Sequence, residues 1–303
     1  MELQKRHLTG LEYLGTITSL LQSIRLEDRF TGLYEAADLQ WWWREDDASN
    51  PDRQVFWCDG EMPVAALLLY DDRKGWNCDF LRLPSLPTAV AGQLVAEVLR
   101  MLSRVPTPAT MTVREDDSVL REALDANGWH NSGEATIQTW LAAAPSAATM
   151  LPVGFRFEAR AESSGRPHPM ANRNGNPADV EKRLSECSLY RPDLDYAIVH
   201  SSGEVAAYAL FWLDPTTRVG LIEPMRTEDK YQRKGLGAAL VCEGTRCLRG
   251  RGAETIKVSY KEGNEAARRL YHRCGFRDLS RKMVYQKGGS DQGAAADADK
   301  PRR

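Results

Sequence analysis

Residues 218–252 read RVGLIEPMRTEDKYQRKGLGAALVCEGTRCLRGRG, and their order is strand, tight turn, helix. Leu221 to Thr227 form the strand, Gln232 to Gly237 the turn, and Leu236, Leu240 and Cys247 begin a helical stripe. A backbone that wraps a pyrophosphate must point several N–H groups into one concavity, and side chains would block the approach. Gly235 and Gly237 remove that obstacle. The helix N-terminus behind them adds unpaired donors and the positive end of its dipole, and Arg233 and Lys234 add full charges. Two other phosphate loops do not fit. The dinucleotide fingerprint needs Gly or Ala three residues after its second glycine, where this chain has Leu240; the ATP-type loop needs Gly-Lys-Ser/Thr, which Gly235-Leu236-Gly237 does not supply. What remains is Gln-x-x-Gly-x-Gly at Gln232 to Gly237, with a plain glycine turn between strand and helix as the alternative.

A second motif decides between them. NEAARRLYHRCGF (264–276) has the form Asn-x-x-Ala-x-x-Leu-Tyr-x-x-x-Gly-Phe and follows the glycine loop after a helix and a strand, TIKVSY, in which Ile256, Val258 and Tyr260 alternate. The two motifs, in this order, resemble the paired signatures of the GCN5-related N-acetyltransferase (GNAT) superfamily. The likeness covers about residues 153–286 strongly and 1–141 as a degenerate copy, an arrangement similar to the tandem acetyltransferases of the mycothiol synthase type.

The degenerate copy is visible in the residues themselves. VFWCDGEMPVAALLLY (55–70) and IVHSSGEVAAYALFWL (198–213) each put two short apolar strands around a Gly-Glu turn, aligning Gly60 with Gly203, Leu67 with Leu210 and Asp71 with Asp214. DSVLREALDANGW (117–129) likewise matches NEAARRLYHRCGF, each an amphipathic helix closed by glycine. The first copy has Asp117 in place of Asn264 and Leu124 in place of Tyr271, and PSLPTAVAGQLV (84–95) has no glycine loop. The expected fold is α/β: two tandem GNAT-like domains with mixed central sheets flanked by helices. The expected divisions are a first domain over 1–141, a linker over 142–153, a catalytic domain over 154–286 and a disordered tail over 287–303 that lacks apolar anchors.

Composition narrows the function class. A formal net charge of −2 gives no global basic field for nucleic acid or an anionic membrane, and no apolar run approaches a membrane span. The first residues carry no secretory pattern, so a cytoplasmic location is expected. The six cysteines form no CxxC pair and sit by no histidine cluster, which argues against a metal and for small buried side chains.

The resemblance implies direct transfer of an acyl group, expected to be acetyl from acetyl-CoA, to the amine of an unidentified small-molecule acceptor. Such a reaction needs a neutral amine, oxyanion stabilisation and a proton for the departing thiolate. Tyr271 matches the family's general acid; Gln232, Arg233, Lys234, Gly235, Leu236, Gly237 and Ala238 match the pyrophosphate loop. Met225, Arg226 and Thr227 match the strand whose backbone binds the acyl and pantetheine groups, and Asn264 matches a cofactor contact that is also a good N-cap. Glu223 is the candidate base. Arg226 departs from the family's usual small or apolar residue there, which leaves open a contact with an acidic acceptor. Of the indoles Trp41, Trp42 and Trp43, not all can face one side of a helix, so at least one is expected to line a cleft or an interface between the halves. A non-catalytic acyl-CoA-binding protein is the rival reading; an intact loop together with Tyr271 favours the enzyme.

Overall fold

The computed structural model describes residues 2–30, 32–42, 51–72, 75–142, 150–163, 165–172 and 177–287. The first half contains β1 (Gln4–His7), α1 (Gly10–Glu27), α2 (Ala36–Trp42), β2 (Gln54–Asp59), β3 (Met62–Asp72), β4 (Gly75–Arg82), α3 (Thr88–Leu102), β5 (Ala109–Arg114), α4 (Ser118–Ala126) and β6 (Trp129–Leu141). The second contains β7 (Phe155–Ala159), α5 (Arg160–Ser163), α6 (Pro177–Glu186), β8 (Asp195–His200), β9 (Val205–Asp214), β10 (Val219–Thr227), α7 (Leu236–Gly250), β11 (Thr255–Lys261), α8 (Glu265–Arg273) and β12 (Arg277–Lys287). The two hairpins and the two short capped helices of the repeat are present: Asp117 and Asn264 each accept a backbone N–H three residues on, from Leu120 and Ala267. Gly128 and Gly275 end those helices with φ of 77° and 93°.

All twelve strands join one sheet in the order β1-β2-β3-β4-β5-β12-β6-β11-β10-β9-β8-β7. The centre of that order is an exchange. β6, which follows α4, pairs with β11 and β12, and β12, which follows α8, pairs with β5 and β6. Each half therefore gives its last strand to complete the sheet of the other. β12 continues through Lys287, one residue into the stretch expected as tail; 288–303 and the middle of the linker, 143–149, lie outside the described residues.

Alternation on β9 sorts the packing. Tyr208, Leu210 and Trp212 join the core that holds α1, α2 and the first-half strands, while Ala207, Ala209 and Phe211 join the core under α7. Gly244 allows the close approach of α7, since a Cβ there would lie 2.0 Å from the Phe211 ring.

Candidate functional site

The site begins where two parallel strands part. β10 pairs with β11 only from Val219 to Leu221, although both strands run on, so a cleft opens beyond Leu221 and Lys257. On its other edge β10 pairs with β9, with a register break between Ile222 and Met225. Pro224, inside that break, has no N–H to give to the ladder. The indole of Trp212 donates to the Glu223 carbonyl at 2.5 Å. Past the break Met225, Arg226 and Thr227 pair again with Ala209, Tyr208 and Ala207, which leaves their opposite backbone edge along the cleft wall.

The glycine loop follows. Gln232 folds its amide back to the Thr227 carbonyl (3.4 Å) and the Asp229 carboxylate (3.2 Å), closing the loop on itself. Arg233 and Gly235 have φ of 59° and 80°, and α7 starts at Leu236. Gly235 has no side chain to cap the helix, so the first-turn amides of Leu236, Gly237 and Ala238 lack intrahelical acceptors and point out of the helix end. A Cβ on Gly237 would meet Met225, Thr227 and Leu270 at 3.4 Å each, so a side chain there would fill the mouth of the cleft. Arg233 and Lys234 are exposed beside it. The loop thus presents the backbone donors of a helix N-terminus beside two exposed cations, an arrangement suited to an anion. Asn264 is exposed and spends its side-chain oxygen on capping α8. Arg226 bonds Asp229 at 3.1 Å and lies 3.5 Å from Glu228, so its acidic partners are in the loop itself.

Tyr271 comes to the cleft from α8 and Glu223 from the register break of β10. Tyr271 is buried on α8 against the rings of Tyr260 and Phe276, its hydroxyl 3.9 Å from the Met225 sulfur. Burial, then the charge of Glu223 and the thiol of Cys274, push its phenol above the usual range, which keeps the proton on oxygen. Glu223 is half-buried, and its carboxyl is pushed up to about 7 by burial first and by Asp38 second, with Lys282 opposing. A carboxyl so placed exchanges its proton near neutrality.

The structure brings the loop and Tyr271, both singled out in the sequence, to the same cleft, and it places near Glu223 the charges of Asp38 and Lys282, which belong to no motif. The tryptophans divide: Trp41 is buried with the Arg183 guanidinium 3.9 Å from its ring centre, Trp42 is 41% exposed and stands edge-on to Tyr34, and Trp43 lies outside the described residues. In the first half the turn before α3 is occupied differently. The Ser85 amide and hydroxyl donate to the Glu27 carboxylate at 2.9 and 2.8 Å. Among the described residues no group of His, Cys, Asp and Glu is placed to hold a metal ion, and no helix is long and apolar enough to cross a membrane.

Comparison with known proteins agrees with this geometry. Residues 162–276 match the model of the acetyltransferase (GNAT) family. No curated protein matches the sequence. Among solved structures, a tandem GNAT protein from the clavulanic acid biosynthesis pathway is similar with a TM-score of 0.64 at 17% identity, covering 96% of this chain and 100% of its own. A GNAT-family acetyltransferase from Colwellia psychrerythraea gives 0.62 at 12% identity over 95% and 100%. A GCN5-related N-acetyltransferase from Sphaerobacter thermophilus gives 0.60 at 16% over 94% and 95%. In fold, then, the chain is a tandem GNAT-like protein, and its residues 162–276 carry the sequence match to the acetyltransferase (GNAT) family.

Proposed function

We propose that this protein transfers an acetyl group from acetyl-CoA to the amine of a small molecule, by direct attack and without an acyl-enzyme. The observation that carries the reading is the meeting, at one cleft, of the parted strands β10 and β11, the uncapped N-terminus of α7 and the Tyr271 hydroxyl beside Met225. The amides of Leu236 to Ala238, with Arg233 and Lys234, hold the diphosphate. The free edge of Met225 to Thr227 orients the pantetheine and the thioester carbonyl. Glu223, on the opposite side, accepts the ammonium proton so that the amine attacks in its neutral form. Tyr271 gives its proton to sulfur as the carbon–sulfur bond breaks.

Calorimetric titration of the full chain with coenzyme A tests the first half of this reading. One site per chain is expected, abolished by the double variant Gly235→Glu, Gly237→Glu; two equivalent sites, or binding that survives the double variant, would overturn it. Release of free thiol from acetyl-CoA across an amine library identifies the acceptor.

A further inference from the structure

The register break in β10 decides which side chain meets the Tyr271 hydroxyl. Ile222 lies opposite Phe211 and Met225 opposite Ala209, so β10 takes three steps where β9 takes two. Unbroken alternation from Ile222, which is buried in the core under α7, would bring Pro224 to that face. The break reverses the parity, and Met225 packs against this core instead. Its side chain is held at both ends. The sulfur accepts the Tyr271 hydroxyl at 3.9 Å, and the terminal methyl lies 3.4 Å from where a Cβ on Gly237 would stand, a spot shared with Thr227 and Leu270. Met225 therefore stretches from the mouth of the glycine loop to the phenol. Tyr271 has no room to withdraw, because it is buried with its ring centre 6.1 Å from that of Tyr260 and 5.9 Å from that of Phe276.

We infer that the Met225 side chain limits the length of the acyl group that the cleft accepts, admitting acetyl and turning away longer chains. The inference rests on reading the cleft as an acyl-CoA site with Tyr271 as its acid.

A general acid works within hydrogen-bond reach, about 2.6–3.2 Å, of the atom that it protonates. The thioester sulfur must then approach the same phenol oxygen that the Met225 sulfur already faces, and the acyl carbon is one bond farther on. The acyl group and the thioether are thus neighbours around one hydroxyl, and each added methylene brings the chain closer to a wall fixed at two points. Methionine is pliable in itself. Here a swing toward the loop drives its methyl against Gly237, Thr227 and Leu270, and a swing away gives up the phenol. Butyryl exceeds acetyl by two methylenes, and a fitted pocket discriminates by about 10- to 200-fold for a single one.

Calorimetric titration of the full chain with coenzyme A, acetyl-CoA and butyryl-CoA tests this without an acceptor. Wild-type protein is expected to bind butyryl-CoA at least about 10-fold more weakly than acetyl-CoA. Met225→Ala removes the thioether and should bring the ratio of the two dissociation constants close to one, while Met225→Leu, similar in volume, should keep the wild-type ratio. Each ratio is taken within one protein, so a general weakening of the cleft cancels. Should Met225→Ala not fold, Met225→Val, also shorter than methionine, is expected to narrow the ratio. Wild-type protein that binds butyryl-CoA as tightly as acetyl-CoA, or a folded shortened variant that keeps the wild-type ratio, overturns the inference and leaves the acyl-CoA reading standing. That reading fails separately if coenzyme A itself does not bind.

Discussion

In the proposed reaction Tyr271 combines packing and chemistry in one side chain. Its ring fills the core between Tyr260 and Phe276, and only the hydroxyl reaches the cleft at Met225. Tyr271→Phe preserves the ring and removes the proton, so kcat should fall by about 10²- to 10⁴-fold while the affinity for acetyl-CoA stays nearly constant. Steady-state kinetics with one confirmed acceptor, paired with calorimetry, checks this. Wild-type turnover with chemistry rate-limiting would make Tyr271 a packing residue alone. Tyr271 was legible in the sequence because its neighbours Asn264, Leu270, Gly275 and Phe276 form a spaced pattern. The buried charges of Asp38 and Lys282 were not, because burial of a charge leaves no periodic trace in the chain.

Helix α7 carries the cradle at one end and is pinned to the sheet in its middle. The pin is Gly244 over the Phe211 ring. Gly244→Ala gains helix propensity but drives a methyl into that ring, and overpacking of this kind costs about 1–3 kcal/mol. Thermal unfolding should show a lower Tm, and coenzyme A affinity should fall as the displaced helix carries Leu236 to Ala238 with it; an unchanged Tm would mean that Phe211 yields freely. Strands and helices of both copies were readable from alternation, glycine turns and caps. The register break at Glu223 and Pro224 was not derivable from them, since a break is defined by the partner strand. The Glu27 carboxylate on Ser85 was equally hidden: the sequence reported a missing glycine loop in the first half, and the structure adds that an internal anion sits at its turn.

At the scale of the molecule, the repeat implied two tandem GNAT-like halves with mixed central sheets, and the structure adds that the two halves join in one sheet through exchanged strands. Nothing in the residues of β6 or β12 announces the exchange, because strand pairing is made by backbone groups that every neighbour offers alike. A fragment of residues 150–303 lacks β6 and leaves β11 and β12 with open edges. It is expected to be insoluble or unfolded alone, as is 1–149, whereas the two fragments expressed together should co-purify and recover coenzyme A binding. A soluble 150–303 with native circular dichroism and binding would contradict the role given to the exchange. The same exchange orders events during synthesis. The place beside β5 is filled by β12, residues 277–287, so the first half cannot finish its sheet until those residues have left the ribosome. Until then β5 and β6 present unpaired edges over more than a hundred residues of elongation, at about 5–20 residues per second. The nascent chain is thus exposed for seconds to mispairing with a neighbour on the same polysome, and its yield should depend on holdase chaperones more than its finished stability would suggest.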